Sequence, residues 1–433
     1  MGANHPSLFT NLCLFVIFYL RPFVGDGRYC ERPYNPHSAA NSQFSFNPIV
    51  HSMCFPSIKS APFICVNLRE TPIDKIRCIR SIRVLFRRSA GNPQERKAEL
   101  DRNLDCTILL LSRKENAMEK LKIGISSCLL GNKVRYDGGH KYDSWVVETL
   151  GQFAEFVPFC PEYESGLSIP REALRLVGSK DDYRMLMVKS GIDHTPIMLD
   201  YSSRTIRSLR EQQLCAYIFK SKSPSCGMER VKVYPIHGGA AGKTGVGIYA
   251  REFMQEYPLL PVEEEGRLHD PALRENFIER IFIMQRWWEM LNARPKAGDL
   301  VQFHTIHKYL IMAHSPQHYR EMGKLVAAIR QFPLEQVLQN YLELLMTACK
   351  RAATPSKNQN VLLHILGYFK QDLDAFEKQE LISLIAQYKD GLIPLIVPIT
   401  LINHYVRKYG KEYLAAQVYL HPHPMELKLR NHV

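Results

Sequence analysis

The sequence predicts an α/β domain built on a parallel sheet, followed by an all-α domain, behind an N-terminal stretch that resembles neither. Three observations carry this expectation. Short apolar runs at 121–126, 155–160 and 214–219 alternate with helix-like segments, as in successive βαβ units. From Asp299 onward helical periodicity dominates. Residues 1–117 show no sustained period of either 2 or 3.6.

Bulk properties narrow the class. The chain has 433 residues, which suggests two or three domains, and 45% are apolar, as in ordinary globular proteins. Its net charge of +13 is concentrated in residues 1–117, where 16 Lys and Arg face 9 Asp and Glu. The remainder is mildly cationic, a weak argument for nucleic-acid binding. Six of the eleven cysteines also lie in the first 117 residues. An odd number at irregular spacing does not read as a disulfide framework. A reduced, cytoplasmic chain is the expectation, and there clustered thiols point to metal or catalysis.

In the first segment, the apolar core "LCLFVIFYL" is too short to span a membrane and lacks the positive lead of a secretory signal. "KIRCIRSIRVLFRR" (75–88) has the pattern of a basic amphipathic helix. Met118 opens "MEKLKIGIS", which reads as a protein start running straight into a strand. The reading preferred for 1–117 is a poorly structured extension from a start site assigned too early; a basic arm or anchor is the alternative. A mature N-terminus before Met118, found by mass spectrometry, overturns it.

The elements after Met118 follow in order. "LKIGIS" (121–126) is a strand, with Cys128 in the "SCLLG" that follows. "DSWVVETLGQF" (143–153) reads as a helix, and "EFVPFCPE" as a second strand closed by Cys160. "SSRTIRSLREQQL" (202–214) is a helix leading to a third strand, "LCAYIF", which is closed by "KSKSPSCG" with Cys226. In a Rossmann-like parallel sheet, ligands sit beyond the carboxyl ends of the strands. All three thiols fall at that edge. Three thiolates around one centre leave a coordination position open, the logic of a catalytic site, and soft ligands select zinc or an iron–sulfur cluster. Spacing alone leaves this equal to three unrelated buried cysteines, since there is no CxxC pair. Cys215 and Cys349 read as small buried hydrophobes.

Each thiol loop carries polar residues. "VRYDGGHK" supplies Arg135, Tyr136 and Asp137; Glu162 follows Cys160, with "GLSIPR" ending at Arg171; Ser223 and Ser225 precede Cys226.

Together "SSCLLGNKVRYDGG", "FCPE…GLSIPR" and "KSKSPSCG" resemble the signatures of thiouracil desulfurases of the TudS type. The stretch "LVQFHTIHKYLIMAHSPQHYREMGKLVA" (300–327) resembles the C-terminal domain of YbgA-like proteins, which join such a cysteine domain to a helical domain. The resemblance implies a cysteine domain over 118–276 and an all-α domain over 277–433. It implies that Cys128, Cys160 and Cys226 bind a [4Fe-4S] cluster with one iron free of protein ligands. It further implies non-redox desulfuration, in which water replaces the sulfur of a thiolated pyrimidine and sulfide leaves. The substrate is then a small thiopyrimidine or a thiolated tRNA. Glu162 or Asp137 is expected to handle protons. Ser223 and Ser225 are expected to hydrogen-bond substrate or cluster; Arg135 and Arg171, with Tyr136 beside them, are expected to bind the ring or offset cluster charge. For each Arg and carboxylate the competing reading is a structural ion pair.

"HGGAAGKTGVG" (237–247) is a near miss to a phosphate-binding loop, because His237 stands where the first glycine is needed. It reads as a mobile loop over the cysteine site. Further on, "LPVEEEGRLHDPALRENFIERIFIMQRWWEML" begins as an acidic turn and becomes an amphipathic helix. His304, His307 and His314 share one side of a later helix and read as a hydrogen-bonded polar seam rather than a metal site. Pro394 and Pro398 are expected to break the last helix, and the tail "YLHPHPMELKLRNHV" reads as a flexible terminus.

Two other functions fit the sequence. One is a structural zinc domain in a nucleic-acid- or partner-binding protein. The other is a thiol redox protein pairing Cys128 with Cys226.

Overall fold

A computed structural model describes residues 120–432, which lie in one compact unit. The expectations for residues 1–117 lie outside the described residues.

Among the described residues eight strands are formed: β1 (Leu121–Ser126), β2 (Ala154–Phe159), β3 (Leu174–Gly178), β4 (Tyr183–Met187), β5 (Ala216–Phe219), β6 (Val231–Tyr234), β7 (Gly242–Gly245) and β8 (Val262–Glu264). One sheet has the order β2-β1-β5-β8 with every pairing parallel. Its core strands are buried on both faces, so they read as apolar runs rather than alternating ones. Gly124 in the middle of β1 is required by packing: a Cβ there would run into the ring of Tyr217 on β5. The helices α1 (Pro161–Glu164), α2 (Thr195–Ser208) and α3 (Ile248–Glu256) belong to this half, and α2 packs along α3. Helix α2 starts at Thr195, earlier than the sequence pattern indicated, because Pro196 sits where a helix needs no backbone N–H.

A second sheet, order β4-β3-β6-β7, was not anticipated. It corrects the reading of "GKTG": these residues are edge strand β7, paired antiparallel with β6, and only the segment before them stays an exposed loop. "VEE" is also not a turn. It is β8, and its carboxylates survive burial because each has partners. Glu263 meets Arg267 at 2.6 Å, and Glu264 accepts the Met228 N–H at 2.8 Å.

The second half is helical: α4 (Pro271–Asn292), α5 (Ala297–His314), α6 (Pro316–Ala327), α7 (Leu334–Cys349), α8 (Pro355–Leu366), α9 (Ala375–Lys389) and α10 (Ile396–Lys408). Asp270 starts α4 by accepting the Leu273 N–H at 2.9 Å. The helix is buried all round from Phe277 to Gln285, so it is a central helix rather than an amphipathic one. It also packs on β1 and runs through the expected boundary at 276/277. Pro398 does not break α10, since it lies in the first turn. The tail is not a free terminus: Tyr419, Leu420, Leu427 and Leu429 are buried, and Arg430 is 3% exposed. Among the described residues no helix is long and apolar enough to cross a membrane.

The histidines of α5 have partners. His304 Nδ1 lies 3.1 Å from the Tyr341 hydroxyl, and His307 Nδ1 donates to the Phe303 carbonyl at 2.8 Å. His314 reaches the Arg351 carbonyl at 2.7 Å and Glu279 at 3.1 Å.

Candidate functional site

β1 lies between β2 and β5, with Ser126 in register with Phe159, so the loops after all three strands leave one edge. After β1 the chain makes a tight turn that Gly131 closes at φ +92°, and Cys128 is buried within it. The Cys128 carbonyl accepts the Lys141 N–H at 2.9 Å, tying down the loop that carries Arg135 and Asp137. Cys160 directly follows β2 and precedes Pro161 of α1. Its N–H donates to Glu164 Oε1 at 2.6 Å and its thiol donates to the Val134 carbonyl at 3.6 Å. Cys226 sits in the loop after β5. Its N–H donates to Ser223 Oγ at 3.2 Å, and the Ser225 hydroxyl lies 3.6 Å from its sulfur. Ser126 Oγ accepts the Lys220 N–H at 2.9 Å and latches that loop to β1.

The thiols share one electrostatic environment. Burial pushes Cys128 up to about 11; Lys220 opposes this, and the charge of Cys160 adds to it. Burial raises Cys160 and, more strongly, Cys226, on which Cys160 also acts. Cys160 therefore interacts with both other thiols. Among the described residues no three His, Cys, Asp or Glu side chains stand as an assembled metal-binding group. The three thiols share an edge and an electrostatic field. Cys215 lies elsewhere, on Gln285 at 3.1 Å, and Cys349 is buried in α7.

Glu162 is the hub of the polar residues. Its Oε2 accepts from Arg171 Nε at 3.1 Å and Nη2 at 2.8 Å. Its Oε1 accepts from the Ser225 hydroxyl at 2.8 Å, with the Ser223 hydroxyl 3.5 Å away. The two serine oxygens lie 2.9 Å apart. A chain of Arg171, Glu162, Ser225 and Cys226 thus spans two loops. Arg171 also donates to the Val134 carbonyl at 3.0 Å and its side chain is 3% exposed, so its fork is occupied within the protein.

The first loop is looser. Asp137 is exposed and pairs with Arg135 at 3.4 Å; the Gly139 N–H and then Arg135 hold its carboxyl below the usual carboxylate range. Arg135 lies 5.4 Å from the Tyr136 ring centroid and acts on Cys128; Tyr136 itself is 43% exposed. The structure thus brings Glu162, Ser223 and Ser225 together with Cys226 and Arg171, while Asp137 and Tyr136 stand at the rim.

Sequence reasoning missed four groups here. Lys220, the strongest cation acting on Cys128, is paired with Glu265, which also accepts the Ser221 N–H at 2.7 Å. Glu164 links Cys160 to the Tyr201 hydroxyl, at 2.6 Å. His194 is buried and lies 3.1 Å from Ser165 Oγ. Ser126 ends β1. Lys220 had a signal, since it follows the third strand directly; the others come together only by folding.

A family model described as 2-thiouracil desulfurase matches residues 123–265, and a second, described as a protein of unknown function (DUF1722), matches residues 308–424. Among curated proteins, the uncharacterized protein YbgA of Escherichia coli (strain K12) is 32% identical over 153 residues, 35% of this chain and 90% of its own length. The uncharacterized protein YbbK of Bacillus subtilis (strain 168) is 30% identical over 133 residues, 29% of this chain and 85% of its own length. Among solved structures, a [4Fe-4S]-dependent thiouracil desulfidase, TudS, is 30% identical over 36% of this chain and 97% of that chain, with a TM-score of 0.29. With a parallel-sheet cysteine half, a helical half, matches to both family models and its likeness to YbgA, the chain belongs to the family of YbgA-like two-domain proteins.

Proposed function

We propose that this chain is a desulfidase that replaces the sulfur of a thiolated pyrimidine by oxygen, using a [4Fe-4S] cluster held by Cys128, Cys160 and Cys226. The α/β domain, 118–276, carries the chemistry, and the helical domain, 277–433, is joined to it through α4. The observation that carries this reading is the chain of contacts from Arg171 through Glu162 and Ser225 to the sulfur of Cys226. A carboxylate bound to hydroxyls beside one of the thiols is placed to exchange protons there.

The donor set fits the cluster. Three soft thiols share one edge, two of them buried, and Lys220, Arg135 and Arg171 stand close enough to offset negative charge. When bound, the cluster supplies a Lewis-acidic iron that draws charge onto the substrate's sulfur. The protein does the rest. The net reaction takes a thiocarbonyl and water to a carbonyl and hydrogen sulfide, with no electrons gained or lost. Glu162 accepts a proton from water at Oε1, through or beside the Ser225 hydroxyl, and returns it to the leaving sulfur. Arg171 fixes the other carboxylate oxygen and so aims Oε1. Arg135 and Tyr136 at the rim contact the pyrimidine, and Asp137 positions Arg135.

The test is anaerobic reconstitution followed by iron and sulfide analysis. Sulfide release is then assayed from free 2-thiouracil and from thiolated tRNA. Iron uptake that Cys226→Ser abolishes, together with sulfide release from either substrate, is expected. Zinc uptake in place of iron, with no sulfide released, overturns the proposal.

A further inference from the structure

Glu162 and Glu164 both follow Cys160, and the reaction above uses only the first. Glu162 reaches Ser225 and has its charge offset by Arg171 at 2.8 Å. Glu164 is exposed, and among the described residues no cation pairs with it. Its carboxylate is nevertheless held on both oxygens.

The local sequence builds this hold. Pro161 opens α1, so Cys160 is the residue that caps it, and one turn later Glu164 comes back over Cys160. The two are tied in both directions. The Glu164 N–H donates to the Cys160 carbonyl at 2.8 Å, and the Cys160 N–H donates to Glu164 Oε1 at 2.6 Å. The second oxygen, Oε2, accepts from the Tyr201 hydroxyl at 2.6 Å, and Tyr201 is buried on α2. Short charge-assisted bonds to both oxygens, one from the backbone and one from a neighbouring helix, fix where the carboxylate stands. Cys226 shows a milder version of the same arrangement: its N–H goes to a neutral acceptor, Ser223 Oγ, at 3.2 Å. Two of the three cysteines thus have their own N–H turned to a side chain, and only at Cys160 is that side chain charged.

We infer that Glu164 is a positioning residue that withholds the Cys160 N–H from the sulfurs of the cluster and sets an unbalanced negative charge beside them, so that the reduction potential of the cluster is held down. The inference rests on the iron–sulfur reading above. A reduced cluster carries one more negative charge than an oxidised one. Hydrogen-bond donors to its sulfurs stabilise the reduced form and raise the potential; a carboxylate nearby does the reverse. The net reaction moves no electrons, so an added electron would only weaken the pull of the iron on the substrate's sulfur. Glu164 therefore guards the form that the reaction uses.

Glu164→Gln, Glu164→Ala and Tyr201→Phe, each prepared metal-free and then anaerobically reconstituted, test this. Two quantities are read: amide exchange at Cys160 in the metal-free protein, and the midpoint potential of the loaded protein. Glutamine keeps an acceptor for the N–H and loses the charge; alanine loses both. Exchange at Cys160 should stay slow in Glu164→Gln and quicken about tenfold or more in Glu164→Ala. The potential should rise in Glu164→Gln and rise further in Glu164→Ala, with Tyr201→Phe between wild type and Glu164→Gln. A carboxylate that merely braces the loop gives another pattern: the variants lose iron or melt earlier, and the fraction that loads keeps the wild-type potential. That pattern overturns the inference and leaves the cysteine site standing. Faster exchange in Glu164→Ala, with no rise in potential beyond that of Glu164→Gln, also overturns it. A wild-type chain that takes up no iron removes the iron–sulfur reading and this inference together.

Discussion

Glu162 at the sheet edge and Glu279 inside the helical half are both sequestered carboxylates, but their partners differ in kind. Glu279 is 4% exposed, with Oε1 on Arg430 Nη2 at 2.7 Å and Oε2 on His314 Nε2 at 3.1 Å. Burial alone would raise it, yet Arg430 and His314 outweigh burial and hold it well below the usual range. It is a fixed charge. Glu162 is fixed on one side only: Arg171 holds Oε2, while Oε1 rests on neutral serine hydroxyls that also stand by Cys226. An oxygen bound to a hydroxyl can exchange a proton without breaking an ion pair. On the proposed function, the charge network of the helical half serves folding and that of the sheet edge serves chemistry.

The largest effect that tests this contrast is on turnover. Glu162→Gln keeps the shape but removes the proton acceptor and the charge that pairs with Arg171. Sulfide release should fall about 10²–10⁴-fold, while iron per chain stays near wild type and Tm drops through the loss of the buried Arg171 pair. Activity within tenfold of wild type would erase the distinction drawn between the two carboxylates.

Next comes Arg430→Met. It leaves Glu279 buried with His314 alone and unties the tail, which Arg430 holds through the Tyr419 carbonyl at 2.6 Å. Removing one partner of a buried pair costs about 3–5 kcal/mol. Urea unfolding should show a loss of that size, with iron uptake by the folded fraction unchanged. A loss confined to turnover, with stability intact, would place the helical network in the reaction.

How much of this the sequence revealed follows from where each partner lies. The three thiol-bearing strand ends were legible because "LKIGIS", "EFVPF" and "AYIF" are apolar runs that stop at polar loops, a purely local signal. Strand β8 was hidden because "VEE" is acidic, and only Arg267 and the Met228 N–H make it buriable. The tail looked disordered because Arg430 finds Glu279 from 151 positions away. The second sheet was missed for a related reason: β7 is the glycine-rich "GKTG", whose pairing depends on β6 rather than on its own side chains. At the site, residue types marked Glu162 and Asp137 alike as candidates; only the fold separates a carboxylate facing Cys226 from one at the rim.

A third effect is on stability against pH. Burial, with Arg286 adding, pushes His307 down to about 3, against about 6.5 in the unfolded chain. The unfolded chain therefore takes up the proton first as pH falls. Stability from keeping this imidazole neutral is complete above about 6.5 and is lost progressively toward pH 3, reaching about 2 kcal/mol of loss by pH 5. Glu275, raised by burial and by Glu279, works in the opposite direction, so the useful quantity is a difference. Between pH 7 and 5, His307→Phe should lose about 2 kcal/mol less than wild type in urea unfolding. Parallel curves would mean that His307 is protonated, or exposed, in the folded chain.

The smallest expected effect is at Asp137, and it separates the two candidate proton carriers. Asp137 is 46% exposed and held below the usual carboxylate range by the Gly139 N–H and Arg135, so at neutral pH it is a weak base with water all around it. Its pair with Arg135 is of the exposed kind that water and salt screen. Asp137→Asn keeps an acceptor for the Gly139 N–H, found at 3.0 Å, and loses only the charge. Urea unfolding should therefore be indistinguishable from that of wild type. Turnover should change by a few-fold at most, and in KM rather than kcat, through a less constrained Arg135 at the rim. If instead Asp137→Asn abolished turnover while Glu162→Gln retained it, the proton carrier would lie on the first loop, and the Arg171–Glu162–Ser225 chain would be a clamp that shapes the Cys226 loop.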